Sequence, residues 1–174
     1  MGWLADERGL EKCAANHAPL TPLSHLARAA DVYAERTALV HGATRRSYAE
    51  YHARVSQLAS GLAAMGIRPG DVVATLLPNV PAQAEAHFGV PACGAVLNTI
   101  NTRLDVDTVA YILGHGGAKL ILCDTAFLGL AKAACAALEG AAPQIVEVAD
   151  GDSGFSPTGE HPTYEDLLAK GSPW

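Results

Sequence analysis

Read only for hydrophobic and polar positions, the chain divides into segments of helical and strand-like period. From Pro22 the apolar positions Leu23, Leu26, Ala30 and Val32–Tyr33 recur at helical spacing, behind Thr21 as N-cap with Pro22 at the first helical position. "TALVHG" then reads as a short strand, and Gly42 turns the chain into "TRRS", which fits a hairpin. Ser47 followed three residues later by Glu50 is a capping box. Behind it Tyr48, Tyr51, Val55, Leu58, Leu62 and Met65 form one apolar stripe. Glu50 and Arg54, four apart, read as a surface pair, and Gly66 stops the helix.

The period then changes. Val72 to Leu77 is a continuous apolar run, the signature of a strand buried on both faces as in a parallel sheet. Asn79 is expected to cap a helix with Pro81 in its first turn, and Pro91 to kink or end that helix near Ala86–His87. Strand "AVLNT" follows. Asp105 caps a helix whose inner face is Val106, Val109–Ala110 and Leu113, and "HGG" ends it. "KLILC" is another strand, Phe127, Leu130, Ala134 and Leu138 the next stripe, and "QIVEV" a further strand. Strands at 72–77, 95–99, 119–123 and 144–148 thus alternate with helices, which predicts an α/β fold: a three-layer sandwich with a mainly parallel sheet. Tyr48, Leu62, Val73, Leu76, Val96 and Leu120 are expected in the core, and Gly66, Gly70 and Gly94 where the backbone turns. The expected organisation is an N-terminal arm over 1–20, the α/β subdomain over 21–149, and a mobile loop plus short helix over 150–174. "DGDSGFSPTGEHP" is the loop, and Thr163 with Asp166 caps the helix.

Composition narrows the function classes. About half of the 174 residues are apolar and the formal charge is −6, with no run of Lys or Arg beyond Arg45–Arg46. A nucleic-acid partner is disfavoured, because neutralising phosphates needs a basic patch. The four cysteines show no CxxC spacing, so zinc held by that motif is out, and Cys93 and Cys123 read as small buried hydrophobes. A reduced, cytoplasmic protein is the simplest reading. "MGWLADERG" has no apolar core of a signal peptide, and Asp6 breaks the myristoylation pattern. The nearly uncharged stretch Val72–Ala84 contains two prolines and is too short to span a bilayer.

Candidate chemistry is sparse. Neither GxxxxGK[ST] nor a GxGxxG after a strand occurs, and "SPTGEHP" lacks the lysine of a phosphate loop. Tyr111 and His115 share a helical face; a histidine near the last carbonyls of a helix explains the latter. Ser56, His52 and Asp71 could be written as a triad, yet their spacing gives it no support and GxSxG is absent. Asp105 and Asp107 are explained by helix capping. The strongest candidate is "GAVLNTINTRLDVDTVAYIL", Gly94 to Leu113. It carries Asn98, Asn101, Thr102 and Arg103 at the C-terminal end of a parallel strand, the edge where open α/β sheets bind ligands. Arg103 stands just ahead of a helix N-terminus, which favours an anion.

The run from Arg36 to Asp124, with "SYAEYHARVSQLASGL", "GIRPGDVVATLLPN" and "GAVLNTINTRL" in that order, resembles the N-terminal part of the adenylate-forming acyl-CoA synthetases. The likeness covers Pro22 to Trp174, and "TYEDLLAKGSPW" resembles the segment leading into the family's catalytic core. The medium-chain or aromatic-acid branch is the nearest. The resemblance implies that the chain is the N-terminal subdomain of an AMP-forming carboxylate–CoA ligase using ATP, Mg2+ and CoA on a carboxylic acid. It places fatty-acid metabolism among the roles to expect. The family's Ser/Thr/Gly-rich phosphate loop, its aromatic-Gly-x-Thr-Glu motif, its ribose-binding Asp and its catalytic Lys are not found here. The expectation is therefore an N-terminal fragment, inactive alone, with no catalytic and no metal-ligating residue of its own. Only Arg103 carries over, as a contact to CoA phosphate; the family's Asn-Pro-Arg-Leu turn reads "NTRL" here, with Thr102 in place of a rigid proline. A fragment of this kind is expected to expose an apolar face, open to homo-oligomer formation. The rival readings are a free-standing α/β nucleotide-binding or interaction module, and a purely structural subdomain. A natural chain end at Trp174 would favour them; a following glycine-rich loop with Lys would favour the ligase.

Overall fold

In the computed structural model of the protein, residues 11–18, 21–151 and 154–173 are described. Most of the expected arm over 1–20 lies outside them; its residues 11–18 are exposed and contain one turn. Helix α1 (Pro22–Val32) leads to the hairpin β1 (Thr37–His41) and β2 (Thr44–Ser47), which pair antiparallel with a register shift between Thr37 and Leu39. Then follow α2 (Tyr48–Ala64), β3 (Val72–Leu76), α3 (Pro81–Ala92), β4 (Val96–Thr99), α4 (Val106–Gly116), β5 (Ala118–Asp124), a 3-10 turn (Thr125–Phe127), α5 (Leu128–Ala136), β6 (Gln144–Val148) and α6 (Tyr164–Ala169).

The four expected strands form one parallel sheet in the order β4-β3-β5-β6. Successive residues of a strand face opposite sides. Val73, Leu120, Leu122, Val146 and Val148 therefore face α2, α3 and α6 through Leu58, Leu62, Ala86, Val90, Tyr164, Leu167 and Leu168. On the other side Ala74, Leu76, Ile121 and Cys123 meet α4 and α5 through Val109, Leu113, Ala131 and Ala134. This is the three-layer arrangement, and burial on both faces is why β3 and β5 are mainly apolar. A third, smaller cluster of Leu26, Tyr51 and Val55 closes α1 and the hairpin onto α2.

Local chemistry explains most boundaries. Ser47 Oγ accepts the Glu50 N–H while the Glu50 carboxylate accepts the Ser47 N–H at 2.7 Å, the reciprocal cap expected at α2. Thr163 and Asp166 repeat it at α6. Gly66, Gly70 and Gly94 take φ of +89°, +86° and +82°, a region that only glycine enters cheaply.

Several expectations are corrected. Val80, not Asn79, is the N-cap of α3, with its carbonyl accepting the Gln83 N–H at 3.0 Å and no side-chain cap. Thr21 precedes α1 as expected but makes no side-chain cap bond. Pro91 does not end α3 at Ala86–His87: it lies in the final turn, where one backbone bond is forgone, and the helix ends a residue later. Val96 is not core. It is 53% exposed, because β4 is the outermost strand. Tyr48 is only half-buried. Arg54 does not pair with Glu50, whose carboxylate is committed to the cap; it turns inward instead.

Candidate functional site

The stretch that stood out in the sequence leaves the sheet at the end of β4. The Ile100 N–H donates to the Thr75 carbonyl at 2.8 Å, and Ile100 anchors the exit in the α4/α5 layer. Asn101 Oδ1 accepts the Arg103 N–H at 2.9 Å, a side-chain turn that fixes the arginine's backbone while its side chain stays exposed. Asp105 Oδ1 accepts the Thr108 N–H at 2.8 Å, and that bond holds its carboxyl below the usual carboxylate range. The first turn of α4 is thus capped by this chain's own carboxylate, and Arg103 stands beside it as a solvent-facing cation. Asn98 does not join them. Its amide nitrogen lies against Gly116, at the far end of α4, where a Cβ would come within 3.1 Å.

The sheet order adds what the sequence did not reveal. β3 continues to β4 on one side, and the next strand, β5, lies on the other, so the topological switch falls between β3 and β5. The turn carrying Asn101 and Arg103 is at the C-terminal end of the sheet but on its margin. At the switch itself sits Asp124, buried, with Oδ1 capping the Ala126 N–H at 2.9 Å and Oδ2 without a hydrogen-bond partner. Burial raises its carboxyl, the Ala126 N–H opposes this, and Asp150 adds to the rise.

A cavity of about 310 Å3 lies at the C-terminal end of β6, lined also by His41, Thr44 and Arg46 of the hairpin and by Asp150, Gly151 and Pro157. His41 Nε2 meets the Asp150 carboxylate at 3.0 Å on one wall. Its floor is a charge network that sequence reasoning missed. Glu85 of α3 is completely buried. Its Oε1 accepts from Arg46 of β2 and from Arg54 Nε of α2, the latter at 2.7 Å. Its Oε2 accepts the Tyr164 hydroxyl of α6 at 2.7 Å. The other two guanidinium nitrogens of Arg54 grip Glu165 bidentately at 2.7 and 3.1 Å. Burial works against the charge of Arg54, but the hydrogen bonds to Glu165 and Glu85 outweigh it and raise its pKa. Burial raises the Tyr164 phenol well above its ordinary value, and the Glu85 carboxylate adds to the rise. The signal was present in the spacing: Ala82, Glu85, Ala86 and Gly89 share one helical face, so Glu85 sits on an apolar stripe.

The other candidates separate. Ser56 Oγ donates to the His52 carbonyl within α2 at 2.9 Å, and Asp71 pairs with Lys119 at 2.7 Å, so the three residues of the paper triad do not meet. Tyr111 and His115 stack at 5.4 Å on α4. Cys123 is buried, Cys93 only half-buried, and burial pushes the Cys123 thiol up to about 12. Among the described residues, no three or more His, Cys, Asp or Glu converge as a metal ligand set would, and no helix is long and apolar enough to cross a membrane.

The AMP-binding enzyme family matches residues 26–168 of the chain. Butyrate–CoA ligase AAE11 of Arabidopsis thaliana, peroxisomal by name, is 40% identical over 165 residues, covering 92% of this chain and 29% of its own length. Trans-cinnamate:CoA ligase of Petunia hybrida, also peroxisomal by name, is 41% identical over 180 residues, covering 94% of this chain and 31% of its own. The benzoate CoA ligase from Burkholderia xenovorans LB400 superposes with a TM-score of 0.75 at 22% identity, over 87% of this chain and 28% of that one; at this identity the likeness speaks to fold alone. The chain therefore spans less than a third of the length of the curated relatives it matches.

Proposed function

The chain belongs to the AMP-binding enzyme family, and from that premise we propose that it works as the N-terminal part of an ATP-dependent carboxylate–CoA ligase. The overall reaction joins an acid to CoA and releases AMP and pyrophosphate. The acid carboxylate attacks the α-phosphate of ATP, pyrophosphate leaves, and the CoA thiolate then displaces AMP from the acyl carbon. The family match over 26–168 is the observation that carries this reading. The names of the relatives, butyrate and trans-cinnamate ligases, support a short aliphatic or aryl acid as substrate. Fatty-acid metabolism is the wider role that we attach to it.

Within this chain the residue we assign is Arg103. Its backbone is fixed by Asn101 and its side chain faces solvent, which suits a CoA phosphate arriving at the sheet's C-terminal edge. Among the described residues no ligand set fits Mg2+; bound in the longer protein, the ion would neutralise phosphate charge. We propose the same division of the chain as the sequence suggests: an arm over 1–20, the subdomain over 21–149, and 150–174 leading toward the catalytic core. Self-association of the isolated chain through an apolar face is part of the same proposal; among the described residues the large exposed apolar side chains, Val32, Tyr33, Val40, Val96, Tyr111 and Phe155, are distributed over separate elements. The four unpaired cysteines support a reducing compartment; the cytoplasm is our assignment, and the peroxisomal names of the relatives make that organelle the alternative.

The test is pyrophosphate release from ATP, Mg2+ and CoA with butyrate, cinnamate or benzoate. The 174-residue chain is expected to release none, and the same chain extended through the rest of a parent ligase to release it. Release by the short chain, or none by the long one with any acid, overturns the reading. In the long protein Arg103→Ala should raise the KM for CoA by about tenfold, the loss of one charge-assisted contact, and leave adenylate formation intact.

A further inference from the structure

We propose that α6 is a separable strap, and that the buried carboxylate of Glu85 decides where it seats. The proposal concerns the chain itself and does not depend on which reaction the parent performs.

Three observations carry it. First, α6 has six residues, too few to be helical by itself, so its structure is lent by what it rests on. It follows the glycine- and proline-rich 150–162 stretch, and Ser172 just beyond it exchanges hydrogen bonds with Ser60 Oγ at 2.8 and 2.9 Å. It can therefore leave as one unit without breaking a strand. Second, its apolar grip through Tyr164, Leu167 and Leu168 is strong but has no direction of its own. Third, beyond its own Thr163–Asp166 cap, the side-chain hydrogen bonds that its first turn makes to other helices converge on two residues. The Tyr164 hydroxyl donates to Glu85, and Glu165 takes the fork of Arg54, whose remaining nitrogen also donates to Glu85. Arg54 lies 5.9 Å from the centre of the Tyr164 ring.

The charges in this hub balance: Arg46 and Arg54 against Glu85 and Glu165. Only Glu85 of the four is fully buried, and Glu165 is exposed; a balanced set around one buried charge adds little net stability over an apolar core, and its value lies in fixing one arrangement. Removing Glu85 leaves Tyr164 and Arg46 without their acceptor, while the leucines keep their partners. The predicted result is a helix still attached but poorly seated.

Hydrogen exchange of the 164–170 amides in the full chain tests this, with the β3 and β5 amides as reference. Glu85→Gln should speed exchange in α6 by about tenfold or more relative to the strands, as expected for lost hydrogen bonds to a charged acceptor, and Glu85→Asp, which keeps the charge, should recover part of the protection. Tyr164→Phe removes a single hydroxyl and should give the same selective effect in smaller measure. Should Glu85→Gln fail to fold, Tyr164→Phe and Glu165→Gln carry the test. Unchanged α6 protection in the variants that fold, or loss in step with the strands, overturns the proposal: α6 would then be either insensitive to the hub or an inseparable part of the core.

Discussion

The sheet ends in two different ways. On the β6 side the chain folds back along the edge: the Glu147 N–H donates to the Pro162 carbonyl at 2.9 Å, and Thr163 makes a parallel bridge to Glu147. The buried Glu147 carboxylate accepts both the Thr158 N–H and its hydroxyl, each at 2.9 Å. α6 then packs beside this added backbone. On the β4 side there are four residues of strand, a half-exposed Val96, and a turn carrying Arg103. One edge is closed by the chain itself with buried charge; the other is short and open to solvent. Edges left open are where further polypeptide or ligand can add. The difference separates a structural margin from an available one.

The contrast can be broken most directly at Glu147. Glu147→Ala strands the Thr158 donors and frees the loop from the edge, and should cost about 3 kcal/mol in urea unfolding, the scale of hydrogen bonds to a buried charge. A loss below about 1 kcal/mol would mean that the edge is closed by backbone pairing alone.

A pH series gives a smaller effect with a definite sign. The Arg54 hydrogen bond lowers the Glu165 carboxyl. Its contribution to seating α6 is therefore complete above the ordinary value of 4.5 and fades as the pH falls below that, through the lowered value. Burial and Glu85 raise the Tyr164 phenol, so its contribution is complete below the ordinary value of 10.0 and fades as the pH rises through the raised one. Amide exchange in α6, corrected for intrinsic rates, should slow to a plateau between these limits and quicken at both ends, while the β4 edge, flanked by the lowered carboxyls of Asp71 and Asp105, should show only the acid limb.

The smallest effect belongs to the open edge. Val96→Thr should change stability by no more than about 0.5 kcal/mol, because the side chain already faces water. A larger cost, measured by the same urea titration, would show that Val96 is covered in solution by a second molecule.

How much of this was legible depends on whether local or distant chemistry decides it. The strands were readable because burial on both faces demands apolar residues throughout, and the caps of α2, α4 and α6 because their partners lie within three residues. Val96 was misplaced because strand order, which makes β4 an edge, is not written in the strand. Glu85 and Glu147 were missed for a related reason. The partner of Glu85, Tyr164, lies 79 residues away and that of Glu147, Thr158, lies 11 away across a loop, so the apolar stripe around Glu85 marks a buried position without showing what would satisfy its charge. Arg103 was legible as a cation before a capped helix, and its turn formed as an Asx bond to Asn101 even with Thr102 in place of proline.

Gly61 of α2 carries a last consequence. A methyl group there would stand 2.3 Å from the carbonyl oxygen of Leu167, which is backbone and has no rotamer by which to yield. This position therefore acts as a gauge of spacing between two helices more than a hundred residues apart in sequence. Alanine there, ordinarily the most welcome residue inside a helix, would be admitted only by a version of the molecule whose last helix rests elsewhere.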